Sequence, residues 1–167
     1  MKNFPIIDKI SGREYWISRS IAVVVAVFTK NSVLVVQRGT GTPDPEYVGR
    51  YCLPCGYLDY DESCAQAAQR ELMEETGLNL PLSDFKLVNI NDNPTSDKRQ
   101  NVTFRYIVKT LLSEEELELM FTTKNSEKDE VSSIRLIRIE NINIYKWAFN
   151  HSTLINELWQ KSKTKLL

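Results

Sequence analysis

The sequence predicts an α/β fold in which a mixed β-sheet lies between α-helices. Apolar, β-branched runs of strand length recur along the chain, a helix with clear start and stop signals lies between two of them, and strands alternate with helices. At 167 residues, the chain has the length of one domain. Because the sequence contains no internal repeat or linker, we expect residues 1–167 to form a single domain.

The first predicted elements form a β-hairpin. Residues 18–29 and 32–38 have the composition of strands, and Lys30 and Asn31 lie at the turn between them. The continuous apolar run over residues 21–28 is too short to cross a bilayer. We therefore interpret it as a buried strand.

Glycine and proline mark the next segment as irregular. Residues 39–50 are expected to form a loop that leads into a short strand at residues 51–53. Pro54 and Gly56 are chain breakers, and they predict a turn or loop over residues 53–59.

The second half of the chain continues with strands and ends in a helix. Ser113 opens either a helical turn or a solvated connection. Asn150 or Ser152 is expected to cap the terminal helix. The predicted strands cover residues 85–91, 101–109 and 131–139, and the apolar face of the terminal helix consists of Leu154, Ile155, Leu158 and Trp159.

A short acidic helix is the most informative segment. Ser63 and Gln66 have the spacing of a capping box, and Gly77 is a natural C-terminal residue. Three carboxylates on this helix, those of Glu71, Glu74 and Glu75, fall within an arc of about 100°. Such groups repel each other. They indicate either a solvated acidic face or a site for a hard divalent cation, magnesium or manganese rather than zinc.

The spacing around this helix resembles the Nudix box. Gly56 is followed after five residues by Glu62, and after seven more by Arg70-Glu71-Leu72; Glu74-Glu75 and Gly77-Leu78 complete the pattern. The chain is therefore identified as a member of the Nudix hydrolase family, whose fold is the predicted mixed sheet between helices.

The resemblance implies a role for each matching residue. Glu74 and Glu75 match the main metal ligands, and Glu71 matches a residue that binds metal or helps to position the attacking water. Gly56, Glu62, Arg70 and Gly77 match structural positions of the motif. The backbone carbonyl before the first glycine often joins the metal shell, and here it belongs to Cys55. Many members have Pro-Gly-Gly where this chain has Pro-Cys-Gly.

Further candidates lie outside the box. Arg38, at the end of a predicted strand, and with less support Arg50, are expected to bind substrate phosphates. Glu130 and Glu127 precede the strand at residue 131, a region from which family members often supply another metal ligand or the general base. The base is therefore Glu71, Glu127 or Glu130. For His151, packing or capping at the start of the last helix is favoured over catalysis.

The composition of the chain narrows the classes of function and location that remain. A formal net charge of -1 gives no overall attraction to nucleic acid or to an anionic membrane, so stable nucleic-acid binding is not expected. Cys52, Cys55 and Cys64 lack the second ligand pair of a structural zinc site. The N-terminus has no signal-peptide pattern, which predicts a cytoplasmic location. A homodimer is compatible with the family resemblance.

The function expected from the resemblance is magnesium-dependent hydrolysis of a nucleoside diphosphate linked to another moiety. Polar residues 93–102 and Ala148-Phe149-Asn150-His151 are similar to segments of relatives that act on ADP-ribose, although Asn150 replaces an aspartate. Two alternatives remain, a nucleoside triphosphate pyrophosphatase and a non-catalytic nucleotide sensor. The aromatic residues Tyr15, Trp16, Tyr47 and Tyr51 are candidates for stacking on the base.

Overall fold

A computed structural model of the protein describes residues 4–95, 99–124 and 129–163. The strands are β1 Phe4–Ile7, β2 Glu14–Ile17, β3 Ile21–Phe28, β4 Ser32–Arg38, β5 Tyr51–Cys52, β6 Cys55–Tyr57, β7 Lys86–Asn91, β8 Val102–Lys109 and β9 Val131–Arg138. The α-helices are α1 Cys64–Thr76, α2 Glu114–Met120 and α3 His151–Lys163, and short 3-10 helices cover Pro45–Tyr47, Leu82–Asp84 and Ile139–Ile144. No helix among these residues is long and apolar enough to cross a membrane.

Strand β3 is the centre of a mixed sheet. It runs parallel to β8 along its whole length, from the pair Ile21 and Val102 to the pair Phe28 and Lys109. Strand β7 adds to β8 in the antiparallel sense. Helices α1 and α3 pack on this sheet, so the predicted fold class is confirmed.

The two strands of the predicted hairpin separate soon after their turn. Strand β4 pairs with β3 at Phe28 and Val33, and otherwise pairs with β9 on its other side. Strand β5 pairs with the far end of β4, and β6 pairs with β3 over Ala22–Val24. The gap between β3 and β4 is thus lined by two short strands that only Leu53 and Pro54 separate.

The prediction of a loop over residues 53–59 is wrong for Cys55–Tyr57. Pro54 and Gly56 carry no local strand signal, but the departure of β4 leaves backbone groups of β3 without a partner. Pairing with β6 satisfies them. This strand is therefore a consequence of tertiary structure.

Alternate side chains of β3 face different helices. Val23, Val25 and Val27 pack with Ala67, Ala68 and Leu72 of α1 in one core cluster. The other face of β3, including Phe28, packs with the apolar face of α3. This period of two follows from the pleat of a strand, and it explains why the run has no polar face.

The helix boundaries agree with the capping signals. Ser63 and Gln66 form both bonds of the capping box, and Gly77 closes α1 in the left-handed conformation with φ of 80°. Ser113 caps α2, so that segment is a helix and not a solvated connection. Helix α3 begins at His151, directly after Asn150, whose carbonyl accepts from Leu154 N–H at 3.0 Å.

An N-terminal hairpin was not predicted from the sequence. Strands β1 and β2 form a separate two-stranded antiparallel sheet. Ile6, Ile7 and Ile10 on it are exposed, at 48%, 63% and 98%. Strands of four residues, one of which contains a proline, give little sequence signal.

The cap of α1 yields a stability prediction. Ser63→Ala removes the acceptor of the Gln66 N–H and is expected to lower the free energy of unfolding by about 1 kcal/mol. Ser63→Asp retains an acceptor and should unfold within a few tenths of a kcal/mol of the wild type. Urea denaturation measures both. Equal destabilisation by the two variants would show that the cap bond does not contribute.

Candidate active site

Arg70 connects the acidic helix to the strand before it. Its Nε and Nη2 donate to the two carboxylate oxygens of Glu62 at 3.1 and 2.8 Å, and Nη2 also donates to the Tyr57 carbonyl at 2.9 Å. Its Nη1 donates to Glu71 Oε1 at 2.8 Å and to Glu74 Oε2 at 3.1 Å. The hydrogen bond from Arg70 lowers the pKa of Glu62. The predicted structural roles of Glu62 and Arg70 thus have a geometric basis.

Gly56 makes room for the carboxylate of Glu71. A Cβ on Gly56 would overlap that carboxylate, so any other residue at this position would displace the end of the Glu71 side chain. Burial raises the pKa of Glu71 to about 7; the Arg70 guanidinium opposes this shift, and the negative charges of Glu74 and Glu130 add to it.

Glu75 is the most deeply placed of the three helix carboxylates. Its side chain is 8% exposed, and Oε2 accepts from Cys55 N–H at 3.3 Å. Burial raises its pKa well above the ordinary range, and Cys55 and Glu71 add to the effect. A buried acid of this kind becomes charged only when a cation compensates it.

The carbonyl of Cys55 points towards the same helix. Val25 N–H donates to Pro54 O at 3.0 Å, and hydrogen-bonded pairs alternate along an antiparallel ladder. Cys55 is therefore at a position that is not bonded to β3, and its N–H meets Glu75 instead. Its carbonyl is turned to the same side, where a metal ligand from the backbone was predicted.

The carboxylates of α1 and the Cys55 carbonyl are the kind of oxygen ligands that suit a hard divalent cation, although they do not converge on one point. In the described ranges, no three His, Cys, Asp or Glu side chains converge closely enough to hold a metal as they stand. Within the described residues, the hydrogen bonds to these carboxylates use Glu71 Oε1, Glu74 Oε2 and Glu75 Oε2, and the other oxygen of each carboxylate accepts none. An all-oxygen set of this kind matches magnesium or manganese. A bound ion would compete with Arg70 for Glu71 and Glu74.

Arg38 lies at the end of β4 and faces this cluster across the gap in the sheet. Its Nη2 donates to the Thr42 hydroxyl, and its Nη1 lies 4.0 Å from Cys52 Sγ. Its Nε is buried and has no hydrogen-bond partner among the described residues. Glu75 is close enough to act on it electrostatically. The structure therefore brings Arg38 to the acidic helix.

Comparison with known proteins agrees with this arrangement. The sequence matches the NUDIX domain over residues 18–158. The chain belongs to the Nudix hydrolase family. The identification made from the box is thereby confirmed.

Solved structures with the same fold include several Nudix proteins. The NUDIX domain of Shewanella oneidensis NrtR in complex with ADP ribose has a TM-score of 0.70 at 24% identity, covering 87% of this chain and 90% of that one. An ADP-ribose pyrophosphatase from Streptococcus suis has a TM-score of 0.64 at 16% identity, covering 89% and 95%. A bifunctional NMN adenylyltransferase/ADP ribose pyrophosphatase from Francisella tularensis, in complex with AMP and a manganese ion, has a TM-score of 0.67 at 23% identity, covering 86% and 42%.

One curated relative matches over a shorter segment. An octanoyltransferase from Myxococcus xanthus is 48% identical over 66 residues, which are 40% of this chain but only 17% of that protein. The chain thus corresponds to a small part of that relative. The match to the NUDIX domain establishes the family, and the solved structures establish the fold.

Glu130 directly precedes β9, and its role as metal ligand or base stays a prediction. Gly39 N–H donates to its carbonyl at 2.7 Å, and Gly39 is so close to the Asp129 carbonyl that a Cβ would not fit. This contact fixes the segment before β9 beside the residue that follows Arg38. The charge of Glu130 reaches Glu71. Glu127, the other candidate base, lies outside the described residues.

Arg50 is placed differently from Arg38. Its Nη1 donates to the Trp147 carbonyl at 3.5 Å, and its guanidinium lies 5.5 Å from the centroid of the Tyr47 ring. These contacts support the segment before α3. They give Arg50 a structural role in this conformation.

An aromatic group lies beside Arg38. The centroid of the Phe149 ring lies 4.7 Å from the centroid of the Tyr47 ring and 5.5 Å from the guanidinium carbon of Arg38. The backbone φ of Phe149 is 53°. A positive φ is unusual for phenylalanine and is characteristic of functional sites. Tyr51, in contrast, is buried in the core at 8% exposure. Tyr15 is on the N-terminal hairpin, and the side chain of Trp16 lies outside the described part.

His151 packs against the ring of Phe149. Its Nδ1 accepts from Leu53 N–H at 3.0 Å, and the ring is 7% exposed. Burial lowers its pKa to about 3, and the charges of Arg38 and Arg105 contribute. The imidazole is therefore neutral and buried, and its hydrogen bond to Leu53 holds the start of α3 against the strand segment.

Three residues near the gap were not identified from the sequence as candidates for the site: Asp44, Tyr57 and Arg99. Arg99 donates to the Tyr57 hydroxyl at 3.2 Å and forms an ion pair with Asp44. Arg99 belongs to the polar segment of residues 93–102, of which residues 96–98 lie outside the described part. No spacing rule pairs Arg99 with Asp44, because 55 residues separate them.

A cavity of about 490 Å³ lies elsewhere, at the Phe28 end of β3, and Trp159 and Lys109 contribute to its lining. None of its lining residues belongs to the acidic helix. Size alone therefore does not locate the site, whereas the carboxylates and Arg38 do.

The neutral state of His151 predicts a specific acid sensitivity. Its folded pKa of about 3 is below the ordinary value of 6.5, so the unfolded chain takes up the proton first. The contribution to stability is complete above pH 6.5 and is lost as the pH falls towards 3. At about pH 5 this loss amounts to about 2 kcal/mol.

His151→Asn is the variant to compare with the wild type. The amide oxygen of asparagine can accept from Leu53 N–H, as the imidazole does, but the amide side chain does not take up a proton in this pH range. Between about pH 7.5 and pH 5, the variant should lose about 2 kcal/mol less unfolding free energy than the wild type. Urea denaturation at the two pH values measures this difference. Identical pH dependence of the two proteins would contradict the assignment.

Proposed function

We propose that the protein hydrolyses the diphosphate bond of a nucleoside diphosphate linked to another moiety, with ADP-ribose or a nucleotide sugar as substrate. The observation that carries the proposal is the pair of buried carboxylates, Glu71 and Glu75, held against the backbone of Cys55 and Gly56. Buried acids with raised pKa values are typical of functional sites, and these two face the cation Arg38 across an opening in the sheet.

The metal ligands in this proposal are Glu71, Glu74, Glu75 and the backbone carbonyl of Cys55. Magnesium, or manganese in its place, neutralises phosphate oxygens and lowers the pKa of a bound water when it occupies such a site. Arg70 keeps Glu71 and Glu74 turned to the same side of the helix.

The remaining residues bind and orient the substrate or move a proton. Arg38 is proposed to bind a phosphate, since its buried Nε retains a free donor within the described structure. Glu71 is a candidate both for binding the metal and for accepting the proton; without metal, burial raises its pKa to about 7. Glu130 acts on Glu71 electrostatically and remains the other described candidate for the base.

Two observations support a substrate of the ADP-ribose class. The NrtR domain and the Francisella enzyme, which share the fold, were crystallised with ADP ribose and with AMP. In this chain, Tyr47 and Phe149 form an aromatic pair next to Arg38, and such a pair suits stacking on a nucleobase.

A sensor function is the second candidate because of NrtR. Shewanella oneidensis NrtR was crystallised with a 27-mer DNA; this chain is 25% identical to it and covers 61% of that chain, with a TM-score of 0.65. The complete set of box glutamates favours the enzyme, since nucleotide binding alone does not require it. Cytoplasmic location, a single domain, homodimer formation and the absence of nucleic-acid binding stay predictions.

A substrate panel tests the proposal. ADP-ribose, nucleotide sugars, dinucleoside polyphosphates and nucleoside triphosphates are incubated with the protein, with and without magnesium. We expect metal-dependent release of two monophosphates from ADP-ribose or a nucleotide sugar. Release of pyrophosphate from a triphosphate would indicate the triphosphate pyrophosphatase instead. Tight binding of one compound without turnover would support the sensor.

Glu75→Gln separates catalysis from folding. The variant should lower turnover at least about 100-fold, because the neutral amide is a poor metal ligand. Its unfolding free energy without metal should equal or exceed that of the wild type, since an amide is easier to bury than a carboxylate. Glu118→Gln, on the exposed face of α2, makes the same charge change and should leave turnover unaltered. Near-normal activity of Glu75→Gln would show that the metal site is misplaced.

Gly56→Ala tests the close approach of Glu71. The new Cβ displaces the end of a flexible side chain and not the backbone. We therefore expect unfolding free energy within about 1 kcal/mol of the wild type and turnover reduced about 100-fold by the displaced carboxylate. Turnover and urea denaturation of the same preparation decide this. Full activity would mean that the position of Glu71 is not critical.

A further inference from the structure

An ion pair joins two loops at the opening between β3 and β4. Asp44 lies in the loop that follows Arg38, and Arg99 lies before β8. Arg99 Nη2 donates to Asp44 Oδ1, and Arg99 Nη1 donates to the Tyr57 hydroxyl at 3.2 Å. Asn101 donates to the same hydroxyl at 3.4 Å. The guanidinium is thus held at the end of β6, next to the Nudix box.

The side chain of Asp44 binds Arg99 and does not cap the helix that follows it. It stands at the N-cap position of the 3-10 helix Pro45–Tyr47, yet its side chain makes no capping bond. Aspartate in this position usually accepts from the backbone two or three residues later. Asp44 is only 15% exposed, whereas Arg99 is 48% exposed. The carboxylate therefore fixes the arginine, which remains accessible from the opening.

Arg38 and Arg99 are held by the same loop after β4, because Arg38 Nη2 donates to the Thr42 hydroxyl and Arg99 Nη2 donates to Asp44 Oδ1. The pKa of Arg99 is raised, mainly by its hydrogen bond to Tyr57, and the positive charge of Arg38 opposes this shift. Two guanidinium groups that repel each other at one opening are stabilised by an anion between them. Tyr57 links this pair to catalysis, since its carbonyl accepts from Arg70 at 2.9 Å.

We propose that Arg99 is a second phosphate-binding residue that acts together with Arg38, and that the Asp44 carboxylate binds the Arg99 guanidinium until the substrate diphosphate replaces it. The inference rests on the proposed function and names the residues that hold its substrate. It assigns to Arg99 the role that the sequence analysis gave to Arg50. A diphosphate carries two anionic groups, and two arginines match that charge through bidentate bonds.

The exchange of partners predicts opposite effects for the two members of the pair. Arg99→Gln removes a phosphate ligand and should raise the KM for ADP-ribose about 10-fold or more, with kcat changed less than about 3-fold. Asp44→Asn frees Arg99 and should lower KM several-fold. A merely structural ion pair would make both variants worse. Arg138→Gln is the control, because Arg138 is 65% exposed and its ion-pair partner is Glu140 at 3.7 Å.

A double variant, Asp44→Asn combined with Arg99→Gln, distinguishes the release of Arg99 from the simple loss of a negative charge at the opening. If Asp44→Asn acts only by removing a negative charge near the opening, it should tighten binding equally in the Arg99→Gln background. If it acts by releasing Arg99, its effect should disappear there. Arg99→Lys keeps the charge without the fork, and we expect it to lie between wild type and Arg99→Gln.

Calorimetry with inorganic pyrophosphate in magnesium buffer keeps the test independent of turnover. The wild type should bind pyrophosphate more tightly than Arg99→Gln and more weakly than Asp44→Asn. If no panel compound is hydrolysed, the proposed function fails, but these affinities still decide the role of Arg99. Affinities that are unchanged, or that fall in both variants, would overturn the inference.

Discussion

The active-site region depends on the guanidinium of Arg70. This group binds Glu62 in the loop, the carbonyl of Tyr57 in β6 and the carboxylates of Glu71 and Glu74 on α1. The same cation therefore offsets the repulsion within the acidic helix and fixes the helix against the strand. Charge-assisted hydrogen bonds that are partly shielded from water are strong enough for both purposes.

The separation of β3 from β4 places the two halves of the site opposite each other. Strand β6 carries Cys55 and Gly56 on the β3 side, while β4 carries Arg38 on the other side. Core packing continues on both faces of β3, so the opening does not interrupt the hydrophobic core. A rigid sheet can thus hold charged groups at a solvent-accessible gap, where loops alone would position them less well.

Burial gives these charged groups their chemical character. Glu71 and Glu75 have raised pKa values because the helix packs closely on β6, and Gly56 permits that approach. Opposite them, Arg38 has an unpartnered buried donor among the described residues, and Arg99 is held by Asp44. Carboxylates that require a cation and arginines that attract an anion are what a metal-bound diphosphate needs on its two sides.

Local patterns in the sequence were sufficient to predict the family, the acidic helix with its caps, and most strands. Those features follow from local spacing: the register of the box, the apolar period and the capping residues act within a few turns or one strand. Long-range contacts, in contrast, make Cys55–Tyr57 a strand, bring Arg50 to the segment before α3, and pair Asp44 with Arg99. Each of these depends on partners far apart in the chain, which no local pattern encodes, because backbone pairing and charge pairing are satisfied by whichever group the fold brings near.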